Sequence, residues 1–172
     1  MNLEKERKFQ KRDNKMPDMT IKEMALSIAI EEMDKDAGEV GSNNSGPFVQ
    51  KYLNGLAEPP SNWCAGFVSW CYKEAADRLE IEMPFVYSLG ARNIFDQFEE
   101  EGWLFQEPEE ADIVFFWRED INSWMGHIGI VRSIKGKKII TVEGNRGNFP
   151  AKVHCYNYTI PPPQFLGYGR VE

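Results

Sequence analysis

At Trp103 the apolar pattern changes from helical spacing to short β-rich runs, and this change restricts the fold more than any other feature of the chain. Before it, Thr20 with Glu23 forms a capping box, and Ile21, Met24, Ala25, Ile28 and Met33 give an amphipathic helix to about Asp34. Further helices are expected over Pro47 to Leu56, over residues 62–80, and over Ala91 to Glu101, which Ser88 or the following glycine opens and Gly102 stops. After it come five candidate strands: Asp112 to Trp117, His127 to Ile134, Lys138 to Glu143, Lys152 to Tyr158 and Phe165 to Val171. Closely spaced strands with short connections favour antiparallel pairing. The class is therefore α+β, with N-terminal helices packed on a C-terminal antiparallel sheet.

A chain of 172 residues that is 42% hydrophobic suits one core and leaves little room for a second. Residues 19–172 are read as a single domain and residues 1–18 as a charged extension with no assigned function. A net charge of −7 with no basic face argues against nucleic acid as a partner. No run has the length of a membrane span, and the charged N-terminus lacks the apolar stretch of a signal peptide, so synthesis as a soluble cytoplasmic protein is expected. Three cysteines without dense spacing point to free thiols in a reducing compartment. Asp34, Asp36 and Glu39 lack the spacing of a calcium loop and are taken as solvated surface; neither metal nor cofactor is expected.

Residues 62–80, NWCAGFVSWCYKEAADRLE, concentrate the chemistry. Asn62 is a good N-cap, and Cys64, Phe67, Val68, Cys71, Tyr72, Ala75 and Leu79 form one apolar stripe. Cys64 falls in the first turn, where free N–H groups and the helix dipole favour a thiolate. Cys71 lies two turns inside and is read as packing. The two are about 10 Å apart along the helix, too far to bridge. A cysteine on an apolar face is also commonly a small buried hydrophobe, so the choice for Cys64 turns on whether the chain supplies a base.

Only His127 and His154 carry imidazole; His154 falls mid-strand and is read as surface. His127 opens a strand, where a ring can stand at the sheet rim. A three-residue hairpin loop, Lys135 to Lys137, would pair Ile134 with Lys138, set Asn145 opposite His127 and Glu143 opposite Gly129, and bring all three side chains to one face. A two-residue loop would turn Glu143 to the reverse face. In the first register Cys64, His127 and Glu143 supply nucleophile, base and orienting carboxylate. Asn145 would polarise the imidazole or contact substrate, and the Cys64 backbone N–H would suit an oxyanion.

Three segments, Trp63 to Trp70, Gly126 to Val131 and Glu143 to Asn145, together resemble the CHAP domain, a cysteine- and histidine-dependent amidohydrolase or peptidase of the NlpC/P60-like, papain-like superfamily. The strand from Asp112 and the closing run from Gly167 to Val171 are also similar, so the resemblance spans about residue 20 to the end. It departs at Ala111, where the family usually has glycine, which bears on a turn and not on the chemistry. The resemblance implies that Cys64 is the nucleophile, His127 the general base and acid, Glu143 the orienting residue and Asn145 an auxiliary.

The resemblance further implies a papain-like fold and cleavage of an amide bond in bacterial peptidoglycan through a thioacyl enzyme, either as N-acetylmuramoyl-L-alanine amidase or as endopeptidase. Trp63 and Trp124 are candidates to line the cleft, with core packing as the alternative reading for both. Without a signal peptide the enzyme would reach the wall by phage lysis, as part of a virion, or through a secretion system; the last would imply an immunity protein as partner. A cytoplasmic thiol amidase acting on a small amide, or a non-catalytic module holding a peptide in the same groove, are the alternatives.

Overall fold

The computed structural model describes residues 18–171, so the charged segment through residue 17 lies outside the described residues. Thr20 caps α1 (Ile21–Asp34) as its spacing to Glu23 requires: Glu23 N donates to Thr20 Oγ1 at 3.4 Å and Thr20 N donates to Glu23 Oε2 at 2.8 Å. Helices α2 (Pro47–Leu53), α3 (Cys64–Leu79) and α4 (Ala91–Glu100) follow. The strands are β1 (Leu104–Phe105), β2 (Ile113–Trp117), β3 (Gly126–Lys135), β4 (Lys138–Glu143), β5 (His154–Thr159) and β6 (Phe165–Gly169). They form one antiparallel sheet in the order β1-β6-β2-β3-β4-β5. This is the α+β arrangement expected from the sequence.

Two differences have local causes. Strand β1 is only two residues long, too short for an alternating pattern to be read. Strand β5 starts at His154, because Lys152 bridges instead to Gly38 outside the sheet. His154 is therefore the first residue of its strand, and it is exposed.

Both faces of the sheet are covered, which explains why β2 reads as a continuous apolar run. Ile113, Phe115, Ile128, Ile130 and Val142 join the main core beneath the helices. Val114, Phe116, Val131, Ile139 and Tyr168 form a smaller cluster on the reverse face. By strand alternation His127, Gly129 and Glu143 share that second face.

Buried carboxylates tie the helices to this frame. Asp112 accepts from Lys22 of α1, from the Glu109 backbone and from Arg170. Fully buried Glu32 of α1 accepts from Lys35, Lys51 and the Tyr52 hydroxyl, fixing α2. Tyr52 in turn stacks on Trp63 with ring centroids 5.6 Å apart, so this polar cluster helps to place the start of α3. Ala111, at the turn into β2, takes φ 68°, a left-handed conformation that suits glycine better than alanine.

Candidate active site

Helix α3 begins one residue later than its sequence suggests. Trp63, not Asn62, is the N-cap, with no side-chain capping bond, and Phe67 N donates to Trp63 O at 2.8 Å. Asn62 Oδ1 instead accepts from the Asn44 and Asn145 side chains at 3.5 and 3.4 Å. Cys64 is thereby the first helical residue, where backbone N–H groups have no partner within the helix. It is 8% exposed and lines an open cleft of about 280 Å³ together with Asn62, Arg118, Trp124, His127 and Asn145.

The α3 start meets the sheet where β4 ends. Gly144 packs so tightly on the Trp63 ring that a Cβ there would lie 2.5 Å from Trp63 Cζ3. His127 enters the same place from the second position of β3, opposite Phe116 on β2, whose ring centroid is 5.8 Å from the imidazole.

His127 Nε2 and Glu143 Oε2 are 2.7 Å apart, with the imidazole 5% exposed and the carboxylate fully buried. Since the carboxylate only accepts, Nε2 carries the proton of this bond. Nδ1 is left to face the thiol. Burial works to lower the His127 pKa, but hydrogen bonding to Cys64 and Glu143 and their charges outweigh it and push the value up to about 9.

The hairpin that brings Glu143 to His127 differs from the expected one. Lys135 pairs with Lys138, so the loop is two residues long, the case expected to turn Glu143 away. The register then shifts between Val131 and Ser133, and beyond this bulge Val131 pairs with Thr141 and Ile130 with Val142. One extra residue on β3 restores the alternation lost at the loop. Glu143 consequently stands opposite Gly129, whose missing side chain makes the space: a Cβ there would lie 2.6 Å from Glu143 Cγ.

Four donors surround Glu143. Oε1 accepts from Thr141 Oγ1 at 2.6 Å and from the Tyr158 hydroxyl at 2.7 Å, and Oε2 accepts from His127 at 2.7 Å and Arg146 at 3.3 Å. Arg146 is itself held over the rings of Tyr156 and Tyr158, at 4.3 and 5.0 Å. These four donors satisfy both oxygens of a carboxylate withdrawn from water. A buried nucleophile position at a helix start, an imidazole beside it and a carboxylate fixing that imidazole can together perform acyl transfer.

The sequence profile of the CHAP domain matches residues 57–145, more than half of the chain and a span that contains Cys64, His127 and Glu143. The chain belongs to the CHAP domain family. Two crystal structures of Ly7917 resemble this CHAP domain. One is Ly7917 alone, at TM-score 0.53 and 15% identity, and the other is Ly7917 "with the hydrolyzing product of MDP", at TM-score 0.52 and 16% identity. Each match covers 87% of this chain and 62% of that chain, so the present chain spans under two thirds of the Ly7917 length. At that identity the likeness establishes the fold. No curated protein sequence matches the chain.

Among the residues expected to line the cleft of this CHAP domain, Trp124 is 82% exposed on its wall, whereas Trp63 is fully buried. The Trp63 indole donates to Glu39 Oε1 at 3.2 Å and stacks on Tyr52, so it has no surface to offer a substrate. Glu39 is correspondingly not solvated: it is 2% exposed and also accepts from Ala151 N. Among the described residues no group of three His, Cys, Asp or Glu could hold a metal ion. Asn145 takes φ 55°, lines the cleft and bonds Asn62; Glu143, not Asn145, is the partner of His127 Nε2.

Sequence reasoning missed Thr141, Arg146, Tyr158 and Arg118. Thr141 was accessible through the period of two, being on the Glu143 face of the same strand. Tyr158 and Arg146 reach the carboxylate through pairing of β5 with β4 and through the loop after β4, for which the chain carries no local signal.

Proposed function

We propose that this protein is a peptidoglycan hydrolase that cleaves an amide bond with Cys64 as nucleophile. The observation that carries the reading is the buried His127–Glu143 pair at 2.7 Å, whose imidazole shares one cleft with Cys64 at the start of α3. Membership of the CHAP family and the determination of a similarly folded protein with a hydrolysis product of MDP, muramyl dipeptide, support the substrate class.

In this mechanism the Cys64 proton passes to His127 Nδ1, and Sγ attacks the amide carbonyl. Negative charge on the carbonyl oxygen is met by the Cys64 backbone N–H at the helix start, with the Asn62 and Asn145 side chains nearby on the cleft wall. His127 then gives its proton to the leaving nitrogen as the C–N bond breaks, which leaves a thioacyl enzyme. Water, deprotonated by His127, attacks the thioester, and Sγ departs with the proton returned. Glu143 holds Nε2–H throughout, keeping Nδ1 available for these transfers. Delivery to the cell wall follows release or secretion.

The test is clearing of purified sacculi in a zymogram by the wild type and by Cys64→Ala, with mass spectrometry of the released muropeptides to identify the bond. Clearing by the wild type alone is expected. Clearing by both variants would remove Cys64 from the mechanism, and clearing by neither would remove peptidoglycan as the substrate.

A further inference from the structure

We propose that Arg118 pairs with a carboxylate of the substrate beside the scissile amide, so that the cleft selects acidic peptides over their amidated counterparts. This rests on the peptidoglycan reading above and narrows its substrate class. In a stem peptide the group concerned is a carboxyl of the glutamyl residue that follows muramoyl-alanine.

Arg118 directly follows β2 and lines the same cleft as Cys64, His127 and Trp124. Its side chain is half-buried and held in place by neutral groups. Nη1 donates to Trp117 O at 3.1 Å and to Gln164 Oε1 at 2.9 Å, and the guanidinium sits 5.6 Å from the Phe116 ring centroid. Among the described residues it makes no salt bridge, in contrast to Arg78 with Glu31, Arg146 with Glu143 and Arg170 with Asp112. Glu143 and Cys64 favour the Arg118 cation through space but make no salt bridge or hydrogen bond with it, and both Glu143 oxygens are bonded to Thr141, Tyr158, His127 and Arg146.

Burial works against the Arg118 cation and no anion among the described residues pairs with it in direct contact, so an incoming carboxylate relieves that cost. Nε and Nη2 have no acceptor among the described residues, and a guanidinium fork matches the two oxygens of a carboxylate. The chain carries a net charge of −7, so its overall field repels anions and a placed cation has to supply the attraction. Trp124, on the same wall, offers an apolar face to the neutral part of the ligand.

Titration calorimetry on the folded Cys64→Ala protein at low salt tests this with two probes: N-acetylmuramoyl-L-alanyl-D-glutamate, and the same compound with its carboxyls converted to amides. The acid should bind about tenfold or more tightly than the amide. Arg118→Gln in the same background should abolish that ratio, and Arg118→Lys, a point charge without the fork, should keep part of it. Equal affinities in Cys64→Ala, no measurable binding of the acid, or a ratio that survives Arg118→Gln would each overturn the proposal. The first comparison leaves Arg118 intact, so a folding defect in the variants does not obscure it. Sacculus clearing by the wild type is read separately. Clearing with equal affinities discards the Arg118 assignment alone, whereas absence of clearing discards the peptidoglycan reading.

Discussion

Replacing Glu143 by glutamine removes one charge while keeping shape, and the surrounding bonds determine how the site responds. If the new amide NH2 turns toward His127, it meets Arg146 as donor against donor and forces Nε2 to accept. The imidazole proton then moves to Nδ1, where it blocks uptake of the Cys64 proton. If the NH2 turns toward Thr141 and Tyr158, the hydroxyls can accept, and Thr141 retains the Tyr156 carbonyl at 3.4 Å as an outlet for its proton. Tyr158 then lacks its acceptor, and His127 and Arg146 both lose a charged partner. The second arrangement is cheaper and should cost about 1–3 kcal/mol, a fall in Tm of about 3–10 °C for a chain of this size.

In either orientation the carboxylate that raises the His127 pKa is gone while the burial that lowers it remains, so the value must fall from about 9. The wild type should lose kcat/KM as pH rises through about 9, where the imidazolium needed as general acid disappears. In Glu143→Gln this limb should move to lower pH, with kcat/KM down about 10²–10⁴-fold. Because the folded-state value is raised above the ordinary 6.5, the stability it contributes is fully present below pH 6.5 and is lost as pH rises through about 9. The variant should therefore show a shallower loss of Tm across that interval. An unchanged alkaline limb with wild-type stability would refute the assignment of Glu143 as the partner that holds this proton.

The same geometry leads to three further outcomes. Iodoacetamide on the native protein should label Cys64 well before Cys71, which is fully buried and whose thiol is pushed up by burial; peptide mass mapping showing equal rates would count against Cys64 as nucleophile. Gly129→Ala should displace Glu143, costing about 1–3 kcal/mol by overpacking and lowering kcat more than it raises KM; steady-state kinetics and a thermal melt give both readings. Tyr158→Phe should cost about 1–2 kcal/mol, because it strips one donor from Glu143 Oε1, and should shift the pH–rate profile without abolishing turnover; loss of stability alone would reduce Tyr158 to packing.

Much of the fold was legible because its signals are local. The capping box at Thr20, the apolar stripe of α3 and the short β-rich run of β4 are each contained within a few residues, and each leads to the observed element. What was not legible depends on partners distant in sequence. Asn62 has the composition of an N-cap, yet the chain uses it to meet Asn44 and Asn145, and α3 begins one residue later. Trp63 gave no sequence signal separating cleft from core, and its neighbours Tyr52 and Glu39 decide the matter. Glu39 reads as a surface acid until the Trp63 indole and the Ala151 backbone are found bonded to it.

The register of the β3–β4 hairpin shows most clearly where local reasoning stops. By the side-chain period of two, loop length sets the face on which Glu143 falls, and the two-residue loop alone would separate it from His127. The separation does not occur because an irregularity between Val131 and Ser133 inserts one residue and reverses the parity. Arg132, the residue stepped over, is not distinguished by type, since bulges of this kind depend on local twist as much as on composition. The requirement that keeps the bulge is visible further along the strand. Only with parity restored does Glu143 fall opposite Gly129, the one position on that face of β3 where its side chain has space to reach His127 Nε2 at 2.7 Å. Deleting Arg132 removes the residue the bulge steps over, so in a regular two-residue hairpin Ser133 still pairs with Ile140, Val131 with Thr141, and Glu143 stays opposite Gly129. The deletion variant should therefore keep the His127–Glu143 pair and retain turnover. A folded deletion variant without turnover would show that register is not what aligns the pair.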